Sequence, residues 1–218
     1  MALTHSKPPA AAPAQRRHFS MIRDFQLADF FTLGNAACGV ASVLFAMRYL
    51  QLGDVRHFWL AAAMAPAALL FDVLDGRIAR WRRQSSALGR ELDSLADVVS
   101  FGVGPAALGF AAGLQGGWDA AALVYFVCCG VSRLARYNVT AESLSGGGDK
   151  VAYFEGTPIP TSVLLTAVLA VAMWQGRVGE ALWGGAWVLG PWVLHPLSLL
   201  FVLSGTLMAS KTLRIPKL

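Results

Sequence analysis

The sequence predicts an all-α integral membrane protein with six transmembrane helices, an N-terminal amphipathic interfacial helix and both termini cytoplasmic. Three observations carry this prediction. Of the 218 residues, 56% are apolar and only 14% are Asp, Glu, Lys or Arg, where a soluble domain carries roughly 25% charge. The charges are also segregated, because stretches 58–70, 92–114 and 163–174 carry almost none, the pattern of successive spans. Once spans are placed, fifteen of the eighteen Lys and Arg fall on one side, and only Arg48, Arg56 and Arg177 on the other. That asymmetry orients a membrane protein with its basic side, here the side of both termini, in the cytoplasm.

Residues 1–17, rich in Ala and Pro, contain no apolar core of the kind a cleavable signal needs, and are expected to be a disordered tail. From 18 to 31, Phe19, Ile22, Phe25, Phe30 and Phe31 interleave with Arg23, Asp24 and Asp29, which suits a helix lying in the interface. Spans are expected at 32–50, 57–80, 88–113, 119–137, 158–176 and 190–210, making 32–210 a single six-span domain, followed by a basic tail at 211–218. Trp118, Trp174, Trp183, Trp187 and Trp192 collect at the outer ends, where indoles favour the headgroup level. The stretch 138–156, with Ser-Gly-Gly-Gly at 145–148, reads as a flexible cytoplasmic loop.

The net charge of +5 does not point to nucleic acid, because the basic residues flank apolar segments with no aromatic interleaving. Topology and anionic headgroups account for them. Cys38, Cys128 and Cys129 lie inside apolar runs without ligand spacing and are expected to be small packing residues. The four histidines are scattered among the tail and span ends, away from any acidic cluster.

Spans two and three nevertheless contain Asp72, Asp75, Asp93 and Asp97, and an Asp near mid-span costs about 2.5–3.5 kcal/mol. Asp72 and Asp75 are three apart, Asp93 and Asp97 four apart, so each pair projects from one helix face. Counting outward from the polar turn at 80–86, an antiparallel hairpin is expected to bring all four carboxylates to one level. Such a cluster needs a compensating cation. Oxygen-only ligation points to Mg²⁺ or Mn²⁺, and Ca²⁺ satisfies the same ligand type. Gly76, Ala79 and Gly89 are small residues close to the acids, where a bulky side chain would obstruct a substrate.

The segment Asp72-Val-Leu-Asp75-Gly76-Arg77-Ile-Ala79-Arg80, eight residues, then Gly89-Arg-Glu-Leu-Asp93-Ser-Leu-Ala-Asp97 resembles the full signature of the CDP-alcohol phosphotransferases. Thr32-Leu33-Gly34-Asn35, the run Arg133-Leu134-Ala135-Arg136-Tyr137-Asn138, and Phe154-Glu155-Gly156-Thr157-Pro158-Ile159-Pro160 are similar to its phosphatidylserine-forming branch. Ala28-Asp29 stands where many members of that branch have Pro-Asn. The resemblance implies transfer of the phosphatidyl group of CDP-diacylglycerol to the hydroxyl of L-serine, with release of CMP, in the cytoplasmic membrane of a prokaryote. It implies two divalent ions held by Asp72, Asp75 and Asp93, with Asp97 as a further ligand or the base. Gly76, Ala79, Arg80, Gly89 and Asn35 would border the nucleotide. A homodimer is implied as well.

Serine's hydroxyl is a poor nucleophile at neutral pH, so a carboxylate must take its proton, and Asp97 is the choice. Arg133, Arg136 and the amides beginning at Thr157 lie at cytoplasmic span ends, suited to the lipid phosphate or the serine carboxylate. Two other readings stay open: the same chemistry with glycerol 3-phosphate, an inositol phosphate or choline as acceptor, and a cation transporter using intramembrane Asp residues.

Overall fold

The computed structural model describes residues 27–82, 87–144, 153–210 and 214–216. Two long helices open it, α1 (Leu27–Leu52) and α2 (Val55–Arg82). They form an antiparallel pair because the link between them is very short: Gly53 adopts φ 66° and its N–H closes on the Tyr49 carbonyl at 2.9 Å. Small residues let the backbones approach. Ser42 donates to the Ala61 carbonyl across the seam at 3.0 Å, and a Cβ on Gly34 would stand 3.0 Å from the Phe71 ring.

The third span begins as α3 (Ala87–Asp97), widens into a π-helical stretch, Val98–Val103, and ends as α4 (Gly104–Ala112). The extra residue per turn begins directly after Asp97, and such insertions recur at functional sites. Gly39 of α1 lies against this stretch, where a Cβ would meet the Ser100 nitrogen and Cα at 2.7 Å. Backbone cannot yield as a side chain can, so Gly39→Ala is expected to destabilise the fold by about 1–3 kcal/mol, read as lost thermal stability in detergent.

α5 (Gly117–Leu144) follows, then α6 (Val163–Trp174) behind a 3₁₀ turn at Ile159–Ser162, and α7 (Leu199–Ala209) behind another at Pro196–Ser198. Phe126 of α5 and Phe201 of α7, both fully buried, meet edge to face at 5.4 Å. Large apolar side chains such as Leu44, Val124 and Leu164 are mostly exposed. On a soluble protein such a surface would be a liability. Here it surrounds four helices long and apolar enough to cross a membrane, Leu27–Leu52, Val55–Ile78, Leu88–Ala112 and Gly117–Val139, with shorter apolar helices at Ile159–Trp174 and Pro196–Ala209. The protein is a mostly helical integral membrane protein.

Several sequence expectations shift. Among the described residues α1 starts at Leu27, so 27–31 are continuous with the first span; the rest of the expected interfacial helix, 18–26, and the tail at 1–17 lie outside the described residues. The apolar run 190–210 is not one helix. Its first part contains β3 (Trp192–Leu194), which pairs antiparallel with β2 (Trp187–Leu189) just before the run, because Gly190 at φ 64° turns the chain back in a hairpin. Part of the expected loop 138–156 is ordered, since α5 runs on to Leu144 and β1 (Tyr153–Glu155) pairs antiparallel with β4 (Arg214–Pro216); 145–152 lie outside the described residues. The basic tail thus contributes a strand.

Candidate active site

α1 buries Asp29, Thr32, Asn35, Gly39, Ser42 and Ala46, a spacing of three and four that makes one helix face. The face is polar or small, and it turns toward the acidic helices while Leu33, Val40 and Leu44 face outward. A membrane helix places its polar face inside because lipid cannot hydrogen-bond it. Thr32 Oγ1 donates to Asp75 Oδ2 at 2.9 Å, and Asn35 Nδ2 donates to Asp97 Oδ1 at 3.1 Å. Ser100 Oγ, from the π-helical stretch, donates to the Asn35 carbonyl at 2.7 Å. The widened turn therefore braces the residue that holds Asp97.

Oxygens of Asp72, Asp75 and Asp93 all lie within 4.8 Å of one another. Asp97 stands outside that group, which corrects the expectation of four carboxylates at one level: it is a full turn beyond Asp93 and its carboxylate is drawn to Asn35 of α1. The four remain close enough for their charges to repel. Asp75 and Asp97 are buried, 6% and 7% exposed. Among the described residues no Lys or Arg nitrogen comes within 4.0 Å of any of the four, and Asp93 Oδ1 is buried without a hydrogen-bond partner. A buried anionic oxygen with no partner, beside two further carboxylates, fits a hard divalent cation such as Mg²⁺ or Mn²⁺.

Gly76 and Arg80 lie one turn apart on α2, and a Cβ on Gly76 would meet nothing nearer than the Arg80 guanidinium at 3.5 Å. The glycine thus leaves space beside the acids. Ala79 lies on the same helix and Gly89 in the first turn of α3. Asn35, expected to border the nucleotide, is fully buried; its Nδ2 is spent on Asp97, and its Oδ1 has no hydrogen-bond partner.

The two arginines of α5 separate. Arg133 is 9% exposed, its charge acts on Asp97, and its Nε has no hydrogen-bond partner. Arg136 Nη2 donates to the Ala209 carbonyl at 3.1 Å, closing the last turn of α7 as a cation does at a helix C-terminus. The Thr157 amide, expected to be open to an anion, donates to the Leu207 carbonyl at 3.3 Å. Asn138, at the end of the 133–138 run, joins Ser94 of α3 at 3.0 Å and Glu91 at 3.4 Å, tying α5 to the helix that carries Asp93. Sequence reasoning identified the acids but missed Thr32 as the partner of Asp75, and missed Ser100. The one available signal was the polar spacing 29, 32, 35 in an otherwise apolar segment. Thr32→Val, nearly isosteric, is expected to weaken divalent-ion activation about 10–100-fold with little loss of stability, measured as the metal concentration giving half-maximal turnover.

Comparison with known proteins identifies the family. A CDP-diacylglycerol--serine O-phosphatidyltransferase of Saccharomyces cerevisiae is 40% identical, over 96% of this chain and 79% of its own length. A protein of the same name from Mycobacterium bovis is 36% identical over 77% of this chain and 56% of its own length, so the chain spans little more than half of that relative. An archaetidylserine synthase of Methanothermobacter thermautotrophicus is 36% identical over 63% of this chain and 54% of its own. The family model for CDP-alcohol phosphatidyltransferase matches residues 25–195, a stretch that takes in the polar face of α1, the acids and the arginines of α5 and continues through α6 and the hairpin to His195, and the chain belongs to that family.

Proposed function

We propose that the chain transfers the phosphatidyl group of CDP-diacylglycerol to the hydroxyl of L-serine, giving phosphatidylserine and CMP. The observation that carries the reading is the division of labour among the acids: three carboxylates gathered within 4.8 Å and a fourth, Asp97, held apart by Asn35. Serine as acceptor is supported by the names of the relatives, which share serine while the lipid differs.

Asp72, Asp75 and Asp93 would hold Mg²⁺ or Mn²⁺, two ions by family resemblance. When bound, such ions supply charge neutralisation for the diphosphate and the departing CMP. The chain's own residues do the rest. Thr32 orients Asp75, and the bare face at Gly76, with Ala79, Arg80 and Gly89, admits the nucleotide. Asp97 accepts the proton of the serine hydroxyl as the serine oxygen attacks the phosphorus bound to the diacylglycerol oxygen, and the bond from that phosphorus to the bridging diphosphate oxygen breaks to release CMP; Asn35, braced by Ser100, keeps the carboxylate in one orientation. Arg133, buried beside Asp97, stands where an anionic group of a substrate would offset its charge. Arg136 and Thr157, already bonded to α7, hold the wall of the site.

The topology that fits is six spans within a 32–210 domain, α6 and α7 completing the four longer helices, with both termini and the acids on the cytoplasmic side, where CMP and serine are soluble. We extend the proposal to a prokaryotic cytoplasmic membrane as its location and a homodimer as its assembly. Purified protein with CDP-diacylglycerol and Mn²⁺ or Mg²⁺ is expected to release CMP only when L-serine is added. Release with glycerol 3-phosphate, an inositol phosphate or choline, and none with serine, would replace the acceptor and leave the class of chemistry standing.

A further inference from the structure

The end of the bundle remote from the acids contains a built element that transfer chemistry does not use. Residues 181–210 hold no Asp, Glu, Lys or Arg, yet this stretch includes the β2–β3 hairpin, whose Trp187, Val188, Leu189 and Trp192 are 53%, 76%, 47% and 49% exposed. The hairpin is seated firmly. Asp119, fully buried in the first turn of α5, accepts the His195 amide at 2.7 Å, the His195 ring at 2.6 Å and the Gly116 amide at 2.9 Å. Trp118 and Trp192 pack edge to face at 5.0 Å. A Cβ on Gly117 would meet the Trp192 ring at 2.6 Å, so glycine is needed for this approach.

These contacts hold the hairpin level with the start of α5, which is also the start of the Gly117–Val139 span. Its polar groups are partly satisfied from within: Trp118 Nε1 donates to the Leu189 carbonyl at 3.0 Å and Trp187 Nε1 to the Gly184 carbonyl at 3.1 Å. The segment that follows, Pro196–Ala209, is only fourteen residues long, about 21 Å of helix against roughly 30 Å of hydrocarbon. A charge-free, outward-facing apolar hairpin therefore sits where the short helix fails to reach. As a two-stranded sheet it has no further strand on either outer edge among the described residues, an arrangement that the hydrocarbon interior would not tolerate.

We propose that the hairpin at Trp187–Leu194 is a membrane-inserted anchor, lying among the lipids of the outer leaflet at the boundary of headgroups and acyl chains and completing the last span. The occupant of this face is lipid, because the face joins α5 through the Trp118–Trp192 contact, on a helix whose Trp118 and Val124 are 42% and 63% exposed, and carries the tryptophans that favour this depth. The inference does not depend on which reaction the chain catalyses.

The test places a nitroxide at position 188 by Val188→Cys in full-length protein whose three native cysteines are serine, reconstituted in phosphatidylcholine vesicles. Val124→Cys gives the lipid reference and Arg177→Cys a loop reference, and only variants that remain monodisperse and helical are compared. Collision of the label with oxygen relative to a water-soluble nickel complex is expected to be several-fold higher at 188 than at 177, approaching the value at 124. A ratio at 188 equal to that at 177 overturns the proposal. So does spin–spin broadening at 188 that vanishes on dilution with unlabelled chain, which would identify a second copy as the occupant.

Discussion

Replacing Asp97 by Asn is expected to lower the turnover number by about 10²–10⁴-fold, the range for loss of a general base, while CDP-diacylglycerol binding is nearly unchanged. The substitution is well suited to the question because Asn35 Nδ2 already bonds Asp97 Oδ1, and an amide oxygen accepts that bond equally. Geometry is kept and only the proton acceptor is removed. Because Asp97 lies outside the group formed by Asp72, Asp75 and Asp93, its loss should leave the metal requirement little altered. Single-turnover CMP release alongside lipid binding checks this, and full activity in the Asn variant would refute the role of Asp97.

Asp93→Asn should have the second largest effect, with an unusual sign. Asp93 Oδ1 is buried without a partner, and its charge is repelled by Asp75 and Asp72. Neutralising it removes a donor that the cation needs, so turnover should fall by about 10²–10³-fold, the scale on which preorganised electrostatic groups act, with Mn²⁺ binding weakened in parallel. The same change relieves repulsion between buried carboxylates, so the metal-free protein should become more stable by about 0.5–2 kcal/mol, a stability gained at the expense of activity. Thermal unfolding in excess chelator, beside Mn²⁺ titration by electron paramagnetic resonance, reads both. A variant that is destabilised without metal and unaltered in Mn²⁺ binding would show that Asp93 is structural.

Much of the site was legible before the fold was known, for a simple reason. In a chain with so few charges inside its apolar runs, an aspartate is costly enough to need a purpose, and helical periodicity alone says that 72 and 75, or 93 and 97, share a face. The partners were not legible. Thr32 and Asp75 are 43 residues apart, and Asn35 and Asp97 are 62 apart, so no local rule connects them; they meet because small residues on α1 let it close on α2 and on the π-helical stretch. The two α5 arginines also looked equivalent in sequence. Only the packing of α7 commits Arg136 to the Ala209 carbonyl and leaves Arg133 beside Asp97.

The membrane setting, the acidic helices and the oxygen-rich character of any bound cation follow from residue types and spacing alone, through burial cost, helical period and ligand hardness. How the acids are grouped and where the last apolar run goes depend on packing. Three carboxylates converge while Asp97 is drawn aside, and 187–194 folds into a hairpin clasped by Asp119 instead of extending a helix. Those outcomes depend on which helix faces meet and at what height, and interhelical contact distances of a few ångströms are set by packing across the whole bundle.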